Sequence, residues 1–242
     1  MGGMERTCFV ALFDILGFSE LVRTASLSTV ADMYRSASDS FTNRITRDTP
    51  TGLRPDFVLS FSDTFVVSTR GTTFKDFLII LYACDSLFIA AVENRLKIRG
   101  AVTVGNLIST GNMVIGKPIV EAYRCEQIQD WMGCWINSKC MRTISKEDAK
   151  SLIAKKQILR YKIPLKSGRV SNLYAFNWLK PIEWDIIDKN GGKWVPVEKV
   201  RQAVSYLGDE KGLEWDARRK MDNTKLFCEY ALSFPEEGIA KG

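Results

Sequence analysis

The stretch FVALFDILGFS, residues 9–19, decides how the chain folds and where its chemistry lies. Phe9 to Phe13 is a run without a polar side chain and reads as a β-strand buried on both faces. It delivers one carboxylate, Asp14, onto a glycine turn at Gly17. An unpaired carboxylate at the end of such a strand is costly, and a bound cation would remove that cost. A second reading fits equally well: Asp14 caps the helix that begins near Phe18.

A second carboxylate, Asp63, stands in VLSFSDTFVV, residues 58–67. Phe57 to Phe61 and Thr64 to Ser68 are β-rich runs around the two-residue link Ser62-Asp63, so the spacing predicts a hairpin with Asp63 at its tip. If the strand from Phe9 to Phe13 lies beside this hairpin, both carboxylates emerge at one edge of one sheet. Carboxylate pairs hold divalent ions on a triphosphate in that way. Asp is also an ordinary turn residue, so the hairpin alone does not separate the two readings.

The chain has no histidine, which excludes Ser-His-Asp and Cys-His nucleophile arrangements and every His-containing zinc site. Chemistry must run on carboxylates, metals, Lys, Arg, Tyr or Cys. The six cysteines, Cys8, Cys84, Cys125, Cys134, Cys140 and Cys228, form no C-x-x-C pair and read as buried free thiols, as expected in a reducing cytoplasm. The N-terminus lacks a charged region followed by an apolar core, and Arg6 stands where a myristoylation signal needs Ser or Thr. The longest apolar stretch, Phe77 to Cys84 and on past Asp85 to Val92, is broken by charge and too short to span a bilayer. A soluble protein without a membrane partner is expected.

With 242 residues and 45% hydrophobic content, the chain can bury one full core and reads as one domain with an appendage. Its net charge of +6, from 34 basic and 28 acidic residues, favours an anionic partner such as a nucleotide. The basic residues are scattered rather than gathered in tracts, so a nucleic-acid partner is not expected.

The pattern predicts a strand at Cys8 to Phe13, helical material from Phe18 to about Arg47, and a Pro/Gly-containing connection from Thr49 to Pro55 ahead of the hairpin. A helix from about Phe74 to Asn94, a strand at Lys97 to Val104, a turn at Gly105-Asn106, a strand near Leu107 and a helix from Pro118 to Gln129 follow. This β-α-β-β-α-β order is the split βαβ arrangement of ferredoxin-like α+β sheets. Further strands are expected after Trp135, at Leu159 to Ile163 and at Asn172 to Phe176, with a short helix at Ser145 to Lys155. Residues 1–180 read as the catalytic domain and 181–242 as a C-terminal extension packing on the core or at a dimer interface. Within the extension, helices are expected at Val197 to Leu207 and Ala217 to Ser233, and Trp184, Trp194 and Trp215 read as packing anchors.

The order of these motifs resembles class III nucleotidyl cyclases. In that family the first strand ends in D-I-x-G-F and a hairpin Asp follows, here Asp14 to Phe18 and Asp63 in FSDTF. IRGAVTVG, residues 98–105, resembles the family's R-x-G-x-x-x-G strand in shifted form. GKPIVEAYR, residues 116–124, matches its G-x-x-V-N-x-A-x-R helix at Gly116, Ala122 and Arg124. The resemblance covers roughly residues 8–180.

The resemblance implies a two-metal cyclisation in which Asp14, Asp63 and the backbone carbonyl of Ile15 hold two Mg or Mn ions on a nucleoside triphosphate. It gives the amides of Gly17 and Phe18 to the β- and γ-phosphates, and Arg124 to the charge that develops at phosphorus. It further implies a head-to-tail homodimer whose metal Asp pair and Arg come from opposite protomers. Arg124 also reads, without the resemblance, as an ordinary helix-surface arginine.

The departures narrow the substrate. Adenylate cyclases of the family have a base-reading Lys where this chain has Leu59, an Asp where it has Met113, and a ribose-orienting Asn where it has Val120. Purine recognition by those groups is absent while the metal carboxylates and Arg remain. That combination, with the FDILGFS and FSDTFVVST wording, looks like the pyrimidine cyclases of the bacterial Pycsar antiphage system, which make cyclic UMP or cyclic CMP for a separate effector. UTP is the expected substrate, with CTP as the alternative. An adenylate or guanylate cyclase with a rearranged base pocket, a degenerate nucleotide-binding dimerisation module, and a palm-type polymerase are the other readings.

Overall fold

The computed structural model of the protein describes residues 5–48, 53–110, 113–207 and 215–233. At its centre is β1 (Arg6–Ile15), in which Cys8 to Phe13 and Ile15 are all buried. Successive side chains of a strand face opposite ways. Phe9, Ala11, Phe13 and Ile15 enter one core cluster, while Cys8, Val10 and Leu12 enter a second on the other face. A strand covered on both faces has no position for a polar residue, which is why its sequence is continuously apolar.

Seven further strands complete one sheet: β2 (Phe57–Phe61), β3 (Thr64–Ser68), β4 (Ile98–Thr110), β5 (Met113–Gly116), β6 (Gly133–Ile136), β7 (Ile158–Pro164) and β8 (Val170–Phe176). Their order is β2-β3-β1-β4-β6-β8-β7, with β5 added to β4. Among the described residues only β4 and β6 pair in parallel. One face carries α1 (Phe18–Thr24), α2 (Leu27–Asn43) and α3 (Phe74–Glu93). A reciprocal capping box opens α3: Thr73 Oγ1 accepts from the Asp76 amide at 3.2 Å, and the Asp76 carboxylate accepts from the Thr73 amide at 2.9 Å. The other face carries α4 (Lys117–Ile128), which buries Ala122 and Cys125 against Val10, Leu12 and Ala101. The result is the α+β arrangement expected from the order of strands and helices.

Several expected boundaries move, each for a local reason. There is no turn at Gly105-Asn106, because β4 runs unbroken to Thr110 with Gly105 paired to Cys8 and Asn106 to Thr7. The Asn106 side chain is satisfied within the strand, accepting from Thr7 Oγ1 at 2.7 Å and donating to Glu5 at 2.9 Å. The return strand is β5, which begins at Met113 rather than near Leu107, and residues 111–112 between the two strands lie outside the described residues. The helical stretch after Phe18 is two helices, since Ser26 leaves helical geometry and caps α2 through Thr29. It ends in a π turn over Arg44–Asp48. Much of the expected 49–55 connection is outside the described residues. β6 contains Trp135 rather than following it.

Beyond β6 the structure adds α5 (Ser138–Thr143), α6 (Lys146–Ala154), α7 (Leu179–Lys189), α8 (Val197–Ala203) and α9 (Trp215–Leu232). Neither α5 nor α7 was expected. Pro181, where the extension was expected to begin, stands in the first turn of α7, where a missing N–H leaves no bond unmade. The three expected tryptophan anchors are instead exposed, at 43% for Trp184, 68% for Trp194 and 70% for Trp215. The anchors are Trp131 and Trp178, both fully buried, with the Phe227 ring of α9 4.7 Å from that of Trp131. Residues after Pro181 pack on the core through further bonds: Tyr206 Oη donates to the Leu96 carbonyl at 2.9 Å, and the Met132 amide donates to Thr224 Oγ1 at 2.8 Å. All six cysteines are buried free thiols, and no helix among the described residues is long and apolar enough to cross a membrane.

Candidate active site

The end of β1 is clamped between its neighbours. Asp14 pairs with Thr64 of β3 on one side and with Arg99 of β4 on the other. The next amide, that of Ile15, donates to the Asp63 carbonyl at 3.0 Å, and the Leu16 amide donates to the Lys97 carbonyl at 2.7 Å. The first of these bonds ties the hairpin tip to the strand end. Ser62 completes the turn in left-handed geometry at φ 55°, an uncommon state for a residue with a β-carbon, and Asp63 follows it.

The two carboxyl groups consequently meet. Asp14 is pushed up to about 7, first by burial, then by the charges of Asp63 and Glu126 and by a hydrogen bond with the Asp63 carboxyl, while Arg99 pulls it down. Two carboxyls this close share a proton when nothing else is between them. A divalent cation is what such a pair accepts in place of that proton, and aspartate oxygens with backbone carbonyls are the hard donors that Mg and Mn take. Among the described residues no group of three or more His, Cys, Asp or Glu side chains is placed to hold a metal, so the donor set here is two carboxylates and backbone. Asp14 makes no cap to α1. Gly17 stands at the head of that helix with φ 78° and no side-chain bond, and open space surrounds its α-carbon.

The other expected site residues are spread over both faces of the sheet. Ile15 is buried, Gly17 exposed, and Phe18 half-buried with its ring 6.5 Å from that of Tyr34. Arg124 lies on the exposed face of α4, next to Tyr123 at 55% exposure and one turn from Val120 at 50%. It is two residues before Glu126, which is fully buried beneath the helix. Two residues turn an α-helix by roughly 200°, so Arg124 points away from the carboxylates of its own chain.

Leu59 and Met113 do not come together. Leu59 shares a cross-sheet row with Val66, Leu12 and Ala101, whereas Met113 pairs with Thr110 at the far end of β4. At about 3.3 Å per residue, that separation is close to 30 Å within one chain.

Sequence reading missed the buried pair beside Asp14. Arg99 Nε donates to Glu126 Oε1 at 2.6 Å, Nη2 donates to the same oxygen, and Nη1 donates to the Gln129 carbonyl at 2.8 Å. The available signal was the spacing Ala122, Cys125, Glu126, Gln129, which puts an acid and an amide on the apolar stripe of α4.

No family model matches the chain, and no curated protein matches it in sequence. Solved structures do. The catalytic core of a rhodopsin-guanylyl cyclase with converted specificity, solved with ATPαS, superposes with a TM-score of 0.50 at 13% identity, over 73% of this chain and 98% of that one. The fold is that of a class III nucleotidyl cyclase core. The adenylyl cyclase CyaB from P. aeruginosa gives 0.49 at 17% identity over 73% and 96% of the two chains. A bacterial light-regulated adenylyl cyclase gives 0.49 at 10% identity over 84% and 98%. Within this cyclase fold, the paired carboxylates sit at the end of β1 and at the tip of the β2-β3 hairpin.

Proposed function

We propose that the protein is a pyrimidine nucleotidyl cyclase that converts UTP into 3′,5′-cyclic UMP and pyrophosphate. The observation that carries this reading is the Asp14 and Asp63 carboxyl pair, brought together where the end of β1 is bonded to the hairpin tip, on a cyclase fold. Asp14, Asp63 and the carbonyl of Ile15 would hold two Mg or Mn ions, which supply a lowered pKa for the ribose 3′-hydroxyl and neutralise charge on the phosphates. The amides at Gly17 and Phe18 receive the β- and γ-phosphates. Arg124 stabilises the charge that develops at phosphorus, and because it points away from its own Asp14 it serves the site of a second copy in a head-to-tail dimer.

The choice of base rests on what is missing. Leu59 offers no donor to a purine, so a large polar base beside it would leave its own groups unpaired while a pyrimidine leaves fewer; Met113, at the far end of β4 in the same chain, does not line that pocket. Uracil over cytosine, and a role as an alarm signal read by a separate effector during phage infection in the cytoplasm, rest on the sequence resemblance to the Pycsar enzymes.

Incubating the purified protein with manganese and each of the four ribonucleoside triphosphates, then identifying products by mass, tests this reading. A dominant cyclic UMP product is expected. Cyclic CMP would overturn the uracil assignment, cyclic AMP or GMP the pyrimidine assignment, and no product from any triphosphate the enzyme assignment.

A further inference from the structure

Arg99 is the cation nearest in register to the carboxylate pair, since it is the β4 partner of Asp14 and shares its face of the sheet. A guanidinium in that position is a natural rival for any metal, because it can neutralise Asp14 from within the protein. Its fork is committed elsewhere. Nε and Nη2 both go to Glu126 Oε1, and Nη1 goes to the Gln129 carbonyl. Arg99 is 3% exposed and Glu126 fully buried. The acceptors are themselves fixed: Glu126 Oε2 accepts from Gln127 at 2.8 Å, while the Gln129 amide donates to the Gly100 and Cys125 carbonyls at 3.0 and 2.8 Å and accepts from Trp131 Nε1 at 2.8 Å.

We propose that Glu126 is a positioning residue that holds the Arg99 guanidinium off Asp14 and so keeps the Asp14 and Asp63 pair open to divalent cations. The inference rests on the two-metal reading given above. A buried ion pair rarely stabilises a fold more than apolar residues of similar volume would, so stability alone does not account for placing one here. With Glu126 neutral, Asp14 is the anion left in register with Arg99 on the neighbouring strand, and closing on it costs the metal site a ligand. The pair also fixes α4 to β4 two residues after Arg124, so the same contact sets how that arginine is presented.

The test is Mn2+ binding to the whole protein, followed by calorimetry and by the thermal shift that Mn2+ produces, with no substrate present. Glu126→Gln, nearly the same shape without the charge, is expected to weaken Mn2+ binding about ten- to a hundred-fold, the usual cost of disturbing a partner of a metal ligand. Glu126→Asp, which keeps the charge, is expected to stay close to wild type. Replacing both residues, Arg99→Met with Glu126→Met, removes the rival along with its guard and is expected to restore binding. A merely structural role for the pair predicts the opposite order, with the double variant no better than Glu126→Gln. Unchanged Mn2+ binding in Glu126→Gln overturns the proposal. Should that variant not fold, the double variant decides alone, since weaker binding than wild type would mean Arg99 supports the site instead of competing for it. Absence of Mn2+ binding by the wild-type protein overturns the two-metal reading itself, a result distinguishable from all of these.

Discussion

Arg219, on α9, donates from Nε and Nη2 to the two carboxylate oxygens of Asp130, a residue 2% exposed in the link between α4 and β6. Asn223, one turn further along, donates to the Asp130 carbonyl at 2.8 Å. Asp130 directly follows Gln129, the residue whose carbonyl receives Arg99. The last helix therefore grips the chain one residue from the buried pair beside Asp14. Arg219→Ala leaves the buried carboxylate with Asn223 as its remaining side-chain partner, and an under-satisfied buried charge costs stability. A melting temperature several degrees lower is expected by scanning fluorimetry, with Arg219→Lys in between because a single ammonium cannot reproduce the fork. An unchanged melting temperature in Arg219→Ala would show that α9 is held by its apolar contacts alone.

Asp14 makes metal-free stability depend on pH in a direction opposite to most carboxylates. Its folded value of about 7 lies above the ordinary 3.8, so between those values the native state binds more protons than the unfolded chain. Stability then falls as pH rises from about 4 to about 7 and levels off above. Asp14→Asn removes the penalty and is expected to raise the metal-free melting temperature at pH 8 more than at pH 5, while abolishing turnover, as Asp63→Asn does. Mn2+ is expected to raise the wild-type melting temperature more at pH 8, where no proton has to be displaced. A Mn2+ shift that is equal at both pH values, or near-normal turnover in either Asn variant, contradicts the metal assignment.

Gly100 has no room for a side chain. A β-carbon there would stand 2.3 Å from Phe13 Cδ1 and 2.4 Å from the Leu12 carbonyl oxygen. The second contact is with backbone in the centre of the sheet, which cannot swing aside as a side chain can. Overpacking of cores costs about 1–3 kcal/mol where neighbours can adjust, so Gly100→Ala is expected to reach or exceed the upper end of that range in urea unfolding. Gly17→Ala meets no atom, and its cost is limited to placing a β-carbon at φ 78°. If the two alanine variants unfold at the same urea concentration, the close approach of Phe13 is not what requires a glycine at position 100.

Most of the sheet was legible in the sequence because its elements are locally periodic. The apolar run Phe9 to Phe13, the two β-rich runs around Asp63 and the capped apolar helix from Phe74 each declare themselves within a short window. What escaped depended on context. Pro181 carries a breaker's reputation but occupies the one turn of α7 that tolerates it. Gly105 and Asn106 look like a turn, yet pairing with β1 on the neighbouring strand overrides them. At the site, Asp14 and Asp63 were visible because one closes a buried strand and the other sits in the short turn of a hairpin. The Arg99 and Glu126 pair was not, because its members lie 27 residues apart and only the packing of α4 on β4 joins them. The distance between Leu59 and Met113 was hidden for the same reason, since it depends on where β5 adds to β4.

Arg124 and Asp14 are expected to act in different chains. In one chain the arginine sits on the outer face of α4, with exposed apolar neighbours Val120 and Tyr123, roughly 200° around the helix from the buried Glu126. Exposed apolar side chains beside a cation suit a surface that another copy covers. In a two-fold dimer each site would then combine the carboxylates of one protomer with the Arg124 of the other. Asp14→Ala and Arg124→Ala should each be inactive alone. Mixed in equal amounts and allowed to exchange subunits, they form dimers of which about half are mixed, each with one intact site of two, so recovery approaches about a quarter of wild-type turnover. Subunit exchange is followed independently with differently labelled protomers. Proven exchange without any recovered turnover would place Arg124 and Asp14 in the same site of the same chain, against the direction in which α4 presents the arginine.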